Sequence, residues 1–345
     1  MPRVSVSGVL TAIVGLALLA FVVARVGVAE IATDIRKVGW GLLLVIAIGG
    51  LRFLLRAAAW RLCLDPPHTL SIGNAFAAVI CGDTIGNLTP LGPLVGEPAK
   101  AALVRGRVAL GPAVTALAIE NVLYTLSAAA MIAAGMIALL LRFPLPSALR
   151  GIGEVTIAAT IVLFAAALGL LWRQPALVSR ILRFAPRLAR HADRVRTLEA
   201  EIYTFASRHR RILPVLAAAE IGFHALGVAE AYLTLWLIST STGTPPTWLT
   251  AFILETTNRL ITVVFKFVPL RLGVDEAATA FLTQQILGLG ARPGLSTAIV
   301  RKVRVLFWAV AGGLVLVRRG LAPGTLRASP PLEESRSGPQ DRLTG

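Results

Sequence analysis

Asn87, Glu97, Lys100, Glu120, Arg259, Lys266, Arg271, Asp275, Glu276 and Arg301 lie within or between otherwise apolar stretches, as do Asp83, Glu255, Lys302 and Arg304. A charge at the centre of a bilayer costs roughly 3 kcal/mol even on the lenient insertion scale. Side chains kept there are therefore either ion pairs that tie helices together or working parts. On the first reading Glu97–Lys100 and Glu120–Arg301 are internal pairs. On the second the basic members hold a lipid phosphate while the acids relay protons or gate. Arginine suits phosphate because its planar fork donates bidentately, and Gly92, Gly96 and Gly273 let backbone approach closely. Arg52 and Arg56 stand four apart on one helix face. They are candidates for headgroup access to the site, or for snorkelling to the interface.

Other chemistries find no support in the residues. There is no G-x4-G-K-[ST] loop, no G-x-S-x-G and no H-E-x-x-H. His68, His191, His209 and His224 are scattered, and Cys63 and Cys81 sit in apolar context as packed thiols rather than metal ligands or a disulfide. No catalytic residue, metal or cofactor is predicted.

The segments around these charges are those of a membrane protein. Of 345 residues, 56% are hydrophobic and 15% charged, with a mean hydropathy of +0.75; a soluble domain carries about a quarter charged residues. Apolar runs at Gly8–Ala24, Trp40–Leu62, Pro112–Leu141, Val155–Trp172, Leu213–Ile238 and Ser296–Val317 approach the roughly 20 residues that a span needs. The first lacks a basic flank beyond Arg3 and a small-residue cleavage site, and reads as a retained helix. The net charge of +16 follows the positive-inside pattern and attraction to anionic lipid rather than nucleic-acid binding. Trp40 and Trp60 read as interface anchors. Gln174–Arg211 is dense in arginine, with Val195, Leu198, Ile202 and Phe205 at helical spacing, and is predicted to lie as an amphipathic helix on the cytoplasmic membrane surface. The polar 320–345 tail is predicted to be disordered.

Two regions repeat a pattern. Ile72–Gly86 and Ala99–Leu110 are joined by Asn87–Pro98, and Trp248–Phe265 and Ala277–Leu289 by Lys266–Glu276. Pro90-Leu91 precedes Glu97 by the distance at which Pro269-Leu270 precedes Glu276. Pro112 and Pro293 follow, each with a charge eight residues on, Glu120 and Arg301. An arm of about 15 residues rises only ~22 Å as a helix, short of a ~30 Å core. The predicted fold is thus all-α: a polytopic membrane bundle of about six spanning helices plus two re-entrant hairpins in an inverted-topology repeat. Repeat one spans about 72–141 and repeat two about 248–317 of a membrane domain covering 1–319. The rival is nine plain helices with the N-terminus outside. Breaks facing each other at mid-membrane must line a polar cavity, where secondary transporters place their substrates.

Asn87-x-x-Pro90-x-Gly92-x-x-x-Gly96-Glu97-x-x-Lys100 resembles the lysylphosphatidylglycerol synthase transmembrane-domain family, the flippase-like integral membrane proteins. Arg56–Arg61, Pro269–Glu276 and Arg301 are similar to further segments of that family. The likeness spans about residues 8–318, and differs where Asn121 follows Glu120 and where Lys266 and Arg271 make the second joint more basic. The resemblance implies a membrane domain that moves lipids or lipid-linked molecules (phospholipid, hopanoid or glycolipid) between leaflets of a bacterial inner membrane. The relatives' soluble transferase domain is replaced here by a short tail, so lysyl transfer, and enzyme activity generally, is not expected. A membrane scaffold or a lipid-modifying transferase of an envelope-lipid pathway is the alternative. Membrane lipids are the expected partners, with lipid-biosynthesis enzymes as candidate protein partners.

Overall fold

The computed structural model describes residues 28–89, 92–173, 179–180, 192–239, 245–265 and 268–318. The predicted first helix Gly8–Ala24, Pro90-Leu91, most of the arginine-rich stretch before 192, Lys266 and the 320–345 tail lie outside the described residues. The helices are α1 (Val28–Val38), α2 (Gly41–Leu62), α3 (Ile72–Leu88), α4 (Pro93–Leu103), α5 (Leu110–Arg142) and α6 (Ser147–Arg173), then α7 (Ala192–Arg208), α8 (Leu213–Ser239), α9 (Trp248–Val264), α10 (Val274–Gln285) and α11 (Ala291–Arg318). A 3-10 turn, Pro269–Arg271, precedes α10.

All regular structure among the described residues is helical, and the predicted polytopic membrane bundle is what forms. Helices α2, α5, α6 and α8 are long and apolar enough to cross a membrane. Helix α11 has 28 residues, but Arg301, Lys302 and Arg304 interrupt its apolar run at the middle. Among the described residues helix α6 packs chiefly on α5 and leaves Val155, Ile161, Val162 and Leu168 exposed. These are side chains suited to lipid.

The repeat is visible in the elements. The first arms, α3 and α9, have 17 residues each, and each starts at a hydroxyl cap. Ser71 Oγ accepts from the Asn74 N–H and Thr247 Oγ1 from the Thr250 N–H, which satisfies one of the free donors at a helix start. The second arms are shorter, 11 residues in α4 and 12 in α10, and long helices follow in both copies. The halves then exchange partners: α11 lies against α3, α5 against α9, and α2 against α8. In the first copy α3 and α4 pack on each other through glycine; a Cβ at Gly96 would stand 2.6 Å from the Gly82 carbonyl oxygen. In the second copy α10 packs chiefly along α11.

Two apolar clusters occupy the ends of the bundle. One gathers Trp60, Ala75, Val104, Leu117 and Leu216; the other Ile132, Met136, Leu139, Leu235, Ile253 and Leu282. Along α5 they take residues 113–119 and 132–139, leaving Glu120, Asn121, Tyr124 and Ser127 between. Buried polar side chains thus form a layer at the middle of the long helices.

Two tryptophans part ways. Trp40 is 86% exposed, as an anchor would be, whereas Trp60 is 1% exposed and its indole N–H donates to the Ala113 carbonyl at 3.2 Å. Trp60 is core, not interface. Cys63 and Cys81 are both buried thiols, and Cys81 Sγ donates to the Gly312 carbonyl. Helix α7 does not simply float on the surface: Ile202 and Phe205 join the first cluster and the Thr115 hydroxyl donates to Glu201 at 2.9 Å. Its apolar face docks on the end of α5.

Candidate functional site

Both joints break the helix by backbone geometry. After α3 the chain is extended at Thr89, and α4 starts from Gly92 at φ 44°. The second joint places Leu270 at φ 50°, Arg271 at φ 48° and Gly273 at φ 79°. Glycine tolerates this region freely; Leu270 and Arg271 do not, at a strain of about 1–3 kcal/mol each. Such strain persists only where neighbours over-determine it. Here Lys302 Nζ donates to the Leu270 carbonyl and also meets Asp275 at 3.2 Å and Glu276 at 3.4 Å. Arg271 Nε pairs with Asp275 at 3.2 Å.

The joints come together. The turn 269–271 packs against α3, and Asn87 shares one small cavity with Leu270, Arg271, Asp275, Arg301 and Lys302. Three cations face one carboxylate there. The cavity holds about 10 Å³, room for a single water, so this conformation is closed. Arg301 Nη2 lies 3.6 Å from Glu255 Oε2, while its Nη1 is buried with no hydrogen-bond partner. A buried guanidinium donor left unpaired costs free energy unless something accepts from it.

Behind the cavity the central layer is crowded with charge. Glu255 Oε1 accepts from Arg259 at 2.9 Å and from Arg52 at 3.5 Å. Glu230 Oε2 pairs with Arg304 at 3.1 Å and Arg52 at 3.3 Å. Four guanidiniums (Arg52, Arg259, Arg301, Arg304) thus share two carboxylates. Arg52 and Arg259 also stack over Phe223, 4.5 and 5.0 Å from its ring centroid. Toward the first joint, Arg56 Nε pairs with Glu120 at 2.6 Å, its Nη2 donates to Asn121, and its guanidinium lies 4.0 Å from the Tyr124 centroid. Asn121 Nδ2 then donates to Glu97, which pairs with Lys100 at 2.6 Å. Asn87 Nδ2 donates to Asp83 at 2.8 Å.

The candidates therefore fall into three groups. Asn87, Arg271, Asp275, Glu276 and Arg301 surround or adjoin the cavity; Arg52, Arg259 and Arg301 share Glu255; Arg56, Glu97, Lys100 and Glu120 form the third. Lys266 lies outside the described residues. The expected Glu97–Lys100 pair is present. The expected Glu120–Arg301 pair is not: Arg56 takes Glu120 and Glu255 takes Arg301, because the halves exchange helices and bring α2 rather than α11 to Glu120. Arg52 and Arg56 do not snorkel, with side chains 8% and 12% exposed and both paired to acids. Sequence reasoning assigned no role to Glu230, Tyr124 or Asn121, and grouped Glu255, Lys302 and Arg304 only as buried charges. The i,i+4 spacing of Glu255 and Arg259 was the one usable signal.

The family model for the lysylphosphatidylglycerol synthase TM region matches residues 7–313. The chain belongs to that family. No curated protein and no solved structure matches it. Membership in the lysylphosphatidylglycerol synthase TM region family, together with the apolar helices, makes this a membrane protein with a membrane-lipid-related function. The two breaks and the charged layer lie within the matched residues.

Proposed function

We propose that this chain translocates a lipid with an anionic headgroup between the leaflets of a bacterial inner membrane, without covalent chemistry. The headgroup passes between the two helix breaks while the tails remain in lipid. The observation that carries this reading is the unpartnered Arg301 Nη1 beside a cavity lined from both breaks. The surplus of guanidinium over carboxylate behind it supports an anion over a cation. Phosphate matches the donors best, since Arg301, Arg271 and Lys302 converge on one small volume. Because that volume now fits about one water, passage requires α3 and the 269–271 turn to part.

The test is leaflet exchange in liposomes holding the purified protein, with phosphatidylglycerol or phosphatidylcholine probes. Arg301→Ala is expected to slow phosphatidylglycerol movement by about tenfold, equivalent to ~1.4 kcal/mol, with the purified variant still folded. Equal rates for wild type and variant with both probes contradict the proposal.

A further inference from the structure

The buried acids of the central layer are not alike. Glu120, Glu230, Glu255, Asp275 and Glu276 each have an ion pair, whereas Glu220, 5% exposed, has none among the described residues. Its partner is Ser127 Oγ at 3.1 Å. That same hydroxyl lies 2.9 Å from the Tyr124 carbonyl and 3.1 Å from His224 Nε2. His224 is 7% exposed, stacks on Tyr124, and has a buried Nδ1 without a partner.

One hydroxyl has one proton to give and two lone pairs to receive, and it faces three groups here. Two arrangements satisfy the cluster. In the first Ser127 donates to an ionised Glu220 and accepts from His224 Nε2–H. In the second Ser127 donates to the Tyr124 carbonyl and accepts from both His224 and a protonated Glu220. The two differ by a single proton on Glu220 and a rotation of one hydroxyl. Either way His224 is neutral with its proton on Nε2, because a proton on Nδ1 would be a buried donor with no acceptor.

The surroundings let that proton be felt at the break. From α2 and the residue that caps it, Arg56 and Cys63 face Glu220, and Arg52 and Arg56 face His224; from α5 come Glu120 and Tyr124. Helices α9 and α11 also pack on α8, but aim Glu255, Arg259 and Arg304 at the Arg52–Glu230 group. Helix α1 turns its Asp34 to Arg292 and Ser296. Glu220 and Glu120 therefore share the field of Arg56. Neutralising Glu220 leaves Arg56 to Glu120 and to Asn121, the residue that holds Glu97 beside the first break.

We propose that Glu220, with Ser127 and His224, is the binding site for a coupling proton. The proton is taken from water on one side of the membrane and returned to water on the other, and its presence alters the hold of Arg56 on the first break. The site itself stands on the hydrogen-bond geometry; only the coupling step rests on the translocation reading.

Infrared difference spectra of the purified protein, taken across a pH titration, read the site without any transport. Wild type is expected to show a protonated carboxyl band that Glu220→Gln abolishes, that Ser127→Ala shifts by removing its hydrogen bond, and that the exposed-site variant Glu154→Gln leaves in place. In liposomes, wild-type lipid exchange is expected to follow a one-proton profile, about tenfold per pH unit on its limb, and Glu220→Gln to be flat. A band that survives Glu220→Gln places the proton elsewhere and overturns the proposal. So does loss of the band with an unchanged pH profile of exchange. Wild type that moves no lipid at any pH defeats the translocation reading and the coupling step, while the band still decides whether Glu220 binds the proton.

Discussion

Arg52 Nη2 on α2 lies 3.5 Å from Glu255 Oε1 on α9, across 203 positions of chain. The contact joins a helix preceding the first repeat to the first arm of the second. Arg259 and Arg301 use the same carboxylate, so one acid ties α2, α9 and α11 together at mid-bundle. Losing a partner from a buried ion pair is far costlier than never having had the pair.

Glu255→Gln is therefore expected to destabilise the protein by about 3–5 kcal/mol, since three guanidiniums lose their shared anion. Thermal unfolding in detergent reads this directly. Glu154→Gln, whose partner Arg150 is 70% exposed, is the comparison, expected to change stability by about 0–1 kcal/mol. Similar melting of the two variants would mean that the hub contributes nothing to stability.

The same hub depends on the absence of a methyl group. A Cβ on Gly227 would stand 2.5 Å from Glu255 Oε1, whereas one on Gly73 meets nothing within 4 Å. Gly227→Ala is expected to displace the carboxylate and lower both melting temperature and lipid exchange, with Gly73→Ala close to wild type in both. A Gly227→Ala protein that melts and transports normally would show that the carboxylate has room to move.

The long spans α2, α5, α6 and α8 were legible because twenty or so apolar residues in a row leave few alternatives. The approximate places of the breaks were legible too, from arms too short to span and from the matched Pro-Leu…Glu spacing, but their bounds were not: α4 runs Pro93–Leu103 rather than over the expected Ala99–Leu110, and α10 starts at Val274 inside the expected joint. Local pairs follow from helix spacing, as Glu97–Lys100 at i,i+3 and Glu255–Arg259 at i,i+4 show. What spacing does not encode is which helix lies opposite. Repeat phase set Glu120 against Arg301, but the exchange of helices between halves gave Glu120 to Arg56. Glu230 was given no partner because Arg52 and Arg304, which pair with it, lie far from it in the chain. Trp60 looked like an anchor because its acceptor, the Ala113 carbonyl, belongs to another helix.

At the bundle's edge, Asp34 on α1 accepts from Arg292 Nε at 2.7 Å and from the Ser296 hydroxyl at 2.9 Å. Burial pushes its carboxyl upward, but those hydrogen bonds and the charges of Arg292 and Lys37 outweigh burial and hold it below the ordinary 3.8. With the folded value depressed, the contact contributes fully above the unfolded value and is lost as pH falls through the folded one. Hydrogen exchange in α1 is expected to quicken, after correction for intrinsic rates, only below about pH 4, and in Asp34→Asn to be raised at neutral pH with little further change. Identical pH dependence in both proteins would disconnect α1 from this ion pair.

The passage of a headgroup between the two breaks is tested most directly by fastening them together. Asn87 and Leu270 line the same cavity from opposite joints, so Asn87→Cys with Leu270→Cys places a thiol on each side. Oxidation is expected to form the cross-link in high yield and to stop phosphatidylglycerol exchange in liposomes, with reduction restoring it. Full cross-linking with undiminished exchange would contradict passage between the breaks.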